Sequence, residues 1–317
     1  MPINREEKAP PAPSSNRPEE KKPRKIPWTI TAPRHTMEEL ILDQSTRQQL
    51  LDIVSYFQNR QLLFTQWGLE ERFSQMDGLA VNLYGLPGTG KTLAAHAIAQ
   101  ALGLQMICVN YAEIESKYVG ETSKNLSSLF QTARNTGAVI FFDEADALLS
   151  KRVTNMTSAT DVSVNQTRSV LLTLLNDYRG VILFATNFIQ NFDAAFLRRI
   201  RYHVQFHLPD ETLRQALWTM YIPEKMPKQV DCAALARQFP GVSGSEIANA
   251  VFSAAVHAAR DGAAVVEQRY FEQAIQMCLD VKKANAGTTV SVKKRILSDA
   301  EAEQLQLDQG GNPICSD

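Results

Sequence analysis

The chain contains little cysteine and no long apolar run. Its cysteines lie far apart and none belongs to a C-x-x-C pair, which predicts reduced thiols, not a disulfide framework, at Cys108, Cys232, Cys278 and Cys315. No segment approaches the roughly 18 consecutive apolar residues of a membrane span, and the N-terminus lacks the apolar core of a signal peptide. The formal net charge of -1 provides no overall attraction to nucleic acid or to an anionic membrane. We therefore expect a soluble, cytoplasmic protein whose partner is not a membrane, and the charge disfavours nucleic acid as a partner.

Apolar residues make up 44% of the 317 residues, enough for a substantial core. Short apolar runs alternate with stretches of helical spacing, such as Leu50, Ile53, Val54 and Phe57. The runs predict five buried strands, at residues 79–85, 104–110, 138–143, 181–187 and 202–206. Strands that alternate with helices form parallel sheets covered on both faces. The predicted fold class is therefore α/β, with a parallel β-sheet sandwiched by helices.

Composition and pattern divide the chain into four parts. Residues 1–35 are rich in proline and charge and predict a disordered tail, whose basic cluster KKPRK is either a solvated run or a site for an acidic partner or nucleic acid. Residues 36–209 carry the sheet pattern. Residues 210–283 carry helical patterns only, including the face Ile247, Val251, Ala254 and Ala258, and predict a small all-helical lid domain. Residues 284–317 predict a flexible tail.

The stretch GLPGTGKT meets the G-x-x-x-x-G-K-[ST] pattern of a phosphate-binding loop. It follows a predicted strand and opens a predicted helix, a context that a chance match in a flexible loop would lack. Small residues let backbone N–H groups turn toward phosphate oxygens, and the helix N-terminus adds positive potential. Lys91 is expected to reach the β- and γ-phosphates, and the Thr92 hydroxyl to ligate Mg²⁺. The predicted cofactors are ATP and Mg²⁺, bound by Gly85, Leu86, Pro87, Gly88, Thr89, Gly90, Lys91, Thr92 and Leu93.

Two acidic residues end the third predicted strand, in the stretch VIFFDEAD. Carboxylates at the C-terminal edge of a parallel sheet lie at its ligand crevice. Asp143 is expected to hold Mg²⁺ together with Thr92, and Glu144 to orient the attacking water as a general base. The alternative is a pair of exposed acids at a strand end, which the nearby phosphate loop disfavours.

Polar residues also follow the fourth predicted strand. Asn187 ends it in the stretch FATNF, and would reach the γ-phosphate or the water if this strand neighbours the Asp143 strand; otherwise it is an ordinary turn residue. Guanidinium groups neutralise charge that develops on a transferred phosphoryl group. Arg198, Arg199 and Arg201 come next, where a short helix should carry them away from their own loop. They are either fingers for a neighbouring subunit or a basic surface.

Six motifs in this order resemble the classical clade of AAA+ ATPases, which includes katanin, spastin, the ESCRT-disassembly ATPase and the proteasomal ATPases. The resemblance covers about residues 37–281. Its motifs are GLPGTGKT, KYVGET, VIFFDEADAL, FATNF, the D-x-A…R-R stretch from Asp193, and GVSGSEI.

The resemblance implies roles for these residues and a hexameric ring with ATP between subunits. Lys91 and Thr92 would form Walker A, Asp143 and Glu144 Walker B, and Asn187 sensor 1. Gly244 would lie in sensor 2, near the base and ribose. Arg198 and Arg199 would be the arginine fingers; members with a Pro-Gly-Arg pattern point instead to Arg198 and Arg201, and this chain lacks that Pro-Gly.

The resemblance also implies a pore. An aromatic–aliphatic–Gly loop lines the central pore in this clade, and here it would comprise Lys117, Tyr118, Val119 and Gly120. An extended peptide advances about 3.3 Å per residue with alternating side chains, so rings of aromatics can grip it irrespective of its sequence. A tyrosine packed in a core is the alternative. A second pore loop is expected over residues 153–164.

These expectations lead to three candidate functions. The first is an ATP-hydrolysing remodeller that unfolds, disassembles or severs a protein by pulling it through a homohexameric ring, with an adaptor bound through the N-terminal tail. The second is a nucleotide-gated binding scaffold with low turnover. The third is a DNA-associated AAA+ ATPase, which the pore tyrosine and the net charge disfavour. The chain has no H-E-x-x-H motif, so we expect it not to be a membrane AAA protease. It has one phosphate loop, so we expect it not to be a double-ring member.

Overall fold

The computed structural model describes residues 28–73, 78–110, 121–150, 159–187 and 192–286. Its strands are β1 (Trp28–Thr31), β2 (Leu79–Gly85), β3 (Met106–Asn110), β4 (Val139–Asp143), β5 (Val181–Thr186), β6 (Tyr202–Phe206), β7 (Lys228–Gln229) and β8 (Val266–Glu267). Its helices are α1 (Gln44–Gln58), α2 (Glu70–Phe73), α3 (Lys91–Ala101), α4 (Glu121–Thr136), α5 (Asp146–Leu149), α6 (Ala159–Asp177), α7 (Ala194–Leu197), α8 (Glu211–Tyr221), α9 (Cys232–Gln238), α10 (Gly244–Arg260) and α11 (Gln268–Ala286), with a π-helical turn at Leu62–Gln66.

The central sheet has the strand order β1-β3-β4-β5-β2-β6, and all neighbours except β1 and β3 are parallel. The predicted α/β fold class is confirmed, and each of the five predicted strands forms within two residues of its expected ends. Strand β2 lies between β5 and β6, and β4 lies beside β5. The C-terminal ends of β2, β4 and β5 therefore meet at one edge of the sheet, where α/β proteins bind ligands.

Alternate residues of each strand pack into cores on opposite faces of the sheet. Phe142 and Phe184 stack with ring centroids 5.3 Å apart in the core that α4 and α6 cover. Phe141 and Leu183 lie in the other core, which α1 and α3 cover. Each such fully buried side chain stabilises the fold by about 1.5–3 kcal/mol. Because both faces of the sheet are buried, consecutive residues of these strands are apolar.

The first strand corrects the predicted extent of the N-terminal tail. We expected disorder up to residue 35, but Trp28–Thr31 pairs antiparallel with β3, from Trp28 opposite Val109 to Thr31 opposite Met106. Trp28 packs against the core. Four residues are too few to show a period in the sequence, and the strand forms because β3 offers it an otherwise unpaired edge.

The described residues group into two compact units. The first comprises the chain up to Pro223 together with Asp231–Ala248, and the second comprises Glu224–Val230 and the chain from Asn249 onward. This division differs from the predicted boundary between residues 209 and 210. The physical reason is Arg214 of α8, whose buried guanidinium donates to the Pro209 carbonyl at 2.7 Å and, through two nitrogens, to the Ala236 carbonyl at 3.0 and 2.8 Å. These bonds hold α8 and α9 to the segment that leaves β6.

The second unit buries apolar side chains of two helices. Val251, Ala254 and Ala258 of α10 are buried in the predicted helical face, and Phe271 and Ile275 of α11 are also fully buried. The unit also contains a two-residue parallel pair between β7 and β8, so it is not all-helical. Across the described ranges, every helix is too short or too polar to cross a membrane.

Candidate nucleotide-binding site

The phosphate loop joins β2 to α3 at the edge of the sheet. The backbone N–H groups of residues 88–92 have no acceptor in the described part of the chain, and α3 directs its N-terminus toward the same space. Gly85 passes so close to β6 that an added Cβ would overlap the Phe206 carbonyl. A row of free N–H groups at a helix N-terminus binds anions, so the loop fits a phosphate chain.

Gly88 connects this loop to the start of α10. Its φ of +77° suits glycine, and its carbonyl accepts the Ser245 N–H at 3.2 Å. An added Cβ would overlap the hydroxyl oxygens of Ser245 and Ser243. Ser243 is held in turn by Glu246, whose carboxylate accepts the Ser243 N–H at 2.6 Å in a capping box at the helix start. The predicted sensor 2 segment therefore lies against the phosphate loop.

Replacing Gly88 with alanine is expected to weaken ATP binding by at least about tenfold, because loop and helix start must separate to admit the methyl group. Gly103→Ala is the matched control. Gly103 has a φ of +67° with no atom within 4 Å of an added Cβ, so only backbone strain of about 1–2 kcal/mol arises there. Titration with a fluorescent ATP analogue measures both variants. Equal affinity in Gly88→Ala and the wild type would show that this contact does not shape the site.

Lys91 is a buried cation at the centre of the site, with a relative exposure of 8%. Its Nζ donates to the carbonyls of Gly85 at 2.7 Å and Leu86 at 3.0 Å, and to Asn187 Oδ1 at 3.0 Å. These three bonds use all three donors of the ammonium group. Burial lowers the pKa of Lys91, while the carboxylates of Asp143 and Asp146 oppose that shift. The ammonium is thus positioned beside the phosphate loop.

Two oxygen ligands lie together beside Lys91. The Thr92 hydroxyl donates to Asp143 Oδ2 at 3.1 Å, and Asp143 Oδ1 accepts the Glu144 N–H at 3.0 Å. A hydroxyl and a carboxylate oxygen are the donors that Mg²⁺ prefers, and Mg²⁺ is usually held by one or two such ligands plus phosphate oxygens. The pair therefore fits the predicted metal.

Glu144 has a strained backbone, with a φ of +51°. Bonds on either side hold it there, because the next residue, Ala145, donates its N–H to the Ala185 carbonyl at 2.9 Å. A bulky residue in this region costs about 1–3 kcal/mol, and such strain concentrates at functional sites. The side chain is exposed, so the carboxylate can reach a bound substrate.

Asp146 is a site residue that we did not predict. Both of its carboxylate oxygens accept the Asn187 N–H, at 3.0 and 3.1 Å. Strands β4 and β5 are neighbours, as the Asn187 prediction required. The sequence signal that could have identified Asp146 is its position three residues after Asp143 in the D-E-A-D stretch. Asp146 thus fixes Asn187, whose side-chain oxygen in turn accepts a hydrogen bond from Lys91.

A cavity of about 490 Å³ opens beside the phosphate loop. Apolar side chains and backbone line most of it, a composition and size typical of sites that enclose a small molecule. The cavity extends from Gly88–Leu93 of the loop to Gly244 and Ser245. Its other walls were not predicted, because they combine segments that carry no motif: Glu39–Asp43, Phe206–Asp210, Leu213, Leu217, Met220 and Tyr221.

The three arginines after α7 differ in their surroundings. Arg198 is exposed, and its guanidinium has no hydrogen bond or ion pair with any residue the structure describes. Arg199 is exposed but donates to Asn176 Oδ1 at 2.7 Å and to the Ala195 carbonyl at 2.9 Å. Arg201 is half-buried, and its guanidinium lies 4.7 Å from the ring centroid of Tyr56. Of the three, Arg198 is the most available to another molecule.

The predicted pore loop, Lys117, Tyr118, Val119 and Gly120, lies outside the described residues, as do residues 153–158 of the second predicted loop. Residues 159–164 of that second loop form the start of α6. Their roles stay predictions. The residues predicted to hold phosphate, metal and water do converge: Lys91, Thr92, Asp143, Glu144 and Asn187 are linked by hydrogen bonds or by chain adjacency at one sheet edge. The predicted fingers Arg198 and Arg199 are not bonded to this group.

A parallel sheet with this phosphate loop, and with acids and an asparagine at adjoining strand ends, defines a P-loop nucleotide-binding enzyme. Residues 81–209 match the family described as "ATPase family associated with various cellular activities (AAA)". They form an AAA ATPase domain, related to those of the classical AAA+ ATPases, and its nucleotide is ATP. The predicted family and enzyme class are confirmed.

Curated relatives agree with this assignment. The chain is 28% identical over 298 residues to the ATP-dependent zinc metalloprotease FtsH of Acidimicrobium ferrooxidans, covering 90% of this chain and 42% of that protein. It is 30% identical over 279 residues to FtsH of Mycoplasma pneumoniae, covering 86% and 37%. It is 33% identical over 222 residues to the 26S proteasome regulatory subunit 8 of Caenorhabditis elegans, covering 68% and 52%. The chain therefore spans about half or less of the length of each.

Proposed function

We propose that the chain hydrolyses ATP at the interfaces of a homohexameric ring and uses the cycle to pull on a protein. The observation that carries this proposal is that the site contains no arginine from the described residues of its own chain. Lys91, Thr92, Asp143, Glu144 and Asn187 converge, but none of them has a hydrogen bond to an arginine within the described ranges. Charge that develops on a γ-phosphate needs a guanidinium, and the exposed Arg198 of a neighbouring subunit can supply it.

Each residue has a distinct role in this proposal. Lys91 exchanges a carbonyl partner for a phosphate oxygen when ATP enters, because its donors are otherwise all in use. Asn187 stays fixed by Asp146 and can position the attacking water. Glu144 accepts a proton from that water as general base. Thr92 and Asp143 would hold Mg²⁺, which when bound neutralises phosphate charge.

A protein is the proposed substrate class. Relatives named as an ATP-dependent zinc metalloprotease and as a proteasome regulatory subunit support this choice. In the proposal, Tyr118 and its neighbours Lys117, Val119 and Gly120 contact the captured chain in the pore. An adaptor bound through the N-terminal tail would select the substrate.

Tyr118→Ala is expected to abolish ATP-dependent unfolding of a fluorescent test protein that carries an unstructured tail, while ATP turnover persists. The physical reason is that the grip on the substrate is lost while the catalytic residues remain. Fluorescence loss and phosphate release are measured in the same reaction. Tyr111→Ala, a change of the same size seven residues earlier, serves as the control. Normal unfolding by Tyr118→Ala, or a wild type that stays monomeric with every nucleotide, would contradict the proposal.

A further inference from the structure

A buried amide in the central strand has half of its hydrogen-bonding capacity unused. Asn82 of β2 has a relative exposure of 0%, and its Oδ1 accepts the Thr186 hydroxyl at 3.0 Å. Its Nδ2 has no partner among the residues described. A buried unsatisfied N–H group costs about 1–3 kcal/mol, so such a donor indicates a missing partner or a functional role.

The complementary atom belongs to the neighbouring strand. His203 of β6 is the register partner of Asn82 in the parallel sheet, so the two side chains leave the same face about 4.8 Å apart. Its Nδ1 is buried and likewise has no partner in the described ranges. The amide of Asn82 can only donate through Nδ2, and an unprotonated Nδ1 can only accept. The two unused atoms are therefore a matched donor and acceptor, although the structure itself shows no hydrogen bond between them.

His203 also lies near the turn that carries the predicted arginine fingers. Burial lowers the pKa of His203, and hydrogen bonding to the backbone of Leu197 and Ile200 opposes that shift. Leu197 and Ile200 flank Arg198 and Arg199 in the sequence. Burial favours the neutral ring, so one nitrogen can donate to this turn while the other accepts.

We propose that His203 is a positioning residue for the arginine fingers, held in its Nε2–H tautomer by a hydrogen bond from Asn82. The proposed chain of contacts runs from Thr186, which precedes Asn187 and donates to Asn82, across the strand pair to His203 and on to the turn at Arg198. It connects a subunit's own γ-phosphate site to the fingers that the subunit presents to its neighbour. This inference rests on the proposed function, because the fingers act only if hydrolysis occurs between subunits.

The hydrogen bond is tested without any measurement of activity. Nitrogen-15 spectra of the histidine rings in the full chain, which has five histidines, report the tautomer of each ring. The His203 signals are assigned by their loss in His203→Gln. We expect a protonated Nε2, an unprotonated Nδ1, and a shift of the Nδ1 resonance in Asn82→Leu. An Nδ1–H tautomer, or an Nδ1 resonance that does not move in Asn82→Leu, would overturn the proposal even if the protein is an active ATPase.

The positioning role is tested by kinetics. His203→Phe is expected to lower kcat for ATP hydrolysis by about 10- to 100-fold, the effect of a misplaced catalytic group, with no change in the affinity for a fluorescent ATP analogue. His203→Gln keeps a donor near the Nε2 position and should recover most of kcat. Asn82→Leu combined with His203→Phe should be no slower than His203→Phe alone, because both act through one bond.

Gln205→Leu is the matched control for these variants. Gln205 lies two residues further along β6 on the same face, is exposed, and accepts the Tyr84 hydroxyl at 3.2 Å. It should leave kcat unchanged. Equal kcat for His203→Phe and the wild type would overturn the positioning role, as would a His203→Gln variant as slow as His203→Phe. If the wild type hydrolyses no ATP, the proposed function fails while the tautomer result still stands.

Discussion

Replacing Glu144 with glutamine is expected to reduce ATP turnover by about 10²- to 10⁴-fold, the contribution of a general base, while ATP binding is retained. Glutamine has the same shape but cannot accept a proton from water at neutral pH. The residues that bind phosphate, Lys91 and the loop N–H groups, are unchanged. Phosphate release measures turnover, and a fluorescent ATP analogue measures affinity. The variant should also hold a protein substrate without releasing it, and a photocrosslinker at position 118 should attach to that substrate.

The control for this variant is Glu71→Gln, which changes an exposed carboxylate on α2 and should have no effect. The nucleotide-gated scaffold makes the opposite prediction, because a scaffold with little turnover would lose little in Glu144→Gln. Turnover in Glu144→Gln equal to that of the wild type would therefore remove Glu144 from the mechanism.

Glu144→Gln also tests whether Arg198 acts on a neighbouring subunit. Arg198→Ala keeps the phosphate loop and the general base Glu144 but supplies no arginine finger to its neighbour. Glu144→Gln supplies the arginine finger but lacks the general base. Each should be inactive alone. In a ring mixed at equal ratio, about a quarter of the interfaces combine a working base with a working finger, so about a quarter of the activity should return. A mixture that stays inactive would contradict a finger supplied between subunits.

Replacing Lys91 with methionine is expected to weaken ATP binding by about 100-fold. A hydrogen bond from a charged group to phosphate is worth about 1.5–3 kcal/mol, and its loss leaves the carboxylates of Asp143 and Asp146 facing the phosphates without a cation. The two variants should therefore separate: Glu144→Gln loses hydrolysis and keeps binding, whereas Lys91→Met loses both. Equilibrium titration with the ATP analogue measures the affinity.

Thermal unfolding controls for a folding defect in Lys91→Met. Methionine fills a similar volume, and the variant removes a cation that burial destabilises. It also leaves the carbonyls of Gly85 and Leu86 without this donor. These effects oppose each other, so the melting temperature should change little. Lys124→Met, at an exposed position on α4, is the matched control for affinity. ATP binding by Lys91→Met at wild-type strength would exclude Lys91 from the phosphate site.

Local sequence was sufficient to predict much of the fold and the residues at the centre of the site. Lys91 and Thr92 were predictable because a phosphate loop is one continuous segment between a strand and a helix. Asp143 and Asn187 were predictable because parallel strands end at the same edge of a sheet. The different surroundings of Arg198, Arg199 and Arg201 were not predictable, because they depend on Asn176 and Tyr56, which are distant in sequence.

The amino-acid sequence by itself determined the α/β class, the strands and the ATP-binding loop, because each of these depends on periodicity or on residues adjacent in the chain. Only the tertiary structure decided that β4 lies beside β5, that β1 joins the sheet, and that Asn82 faces His203. The same holds for the cavity walls at Glu39–Asp43 and Phe206–Asp210. These features are contacts between segments far apart in the chain, and strand order and packing select them irrespective of any local pattern.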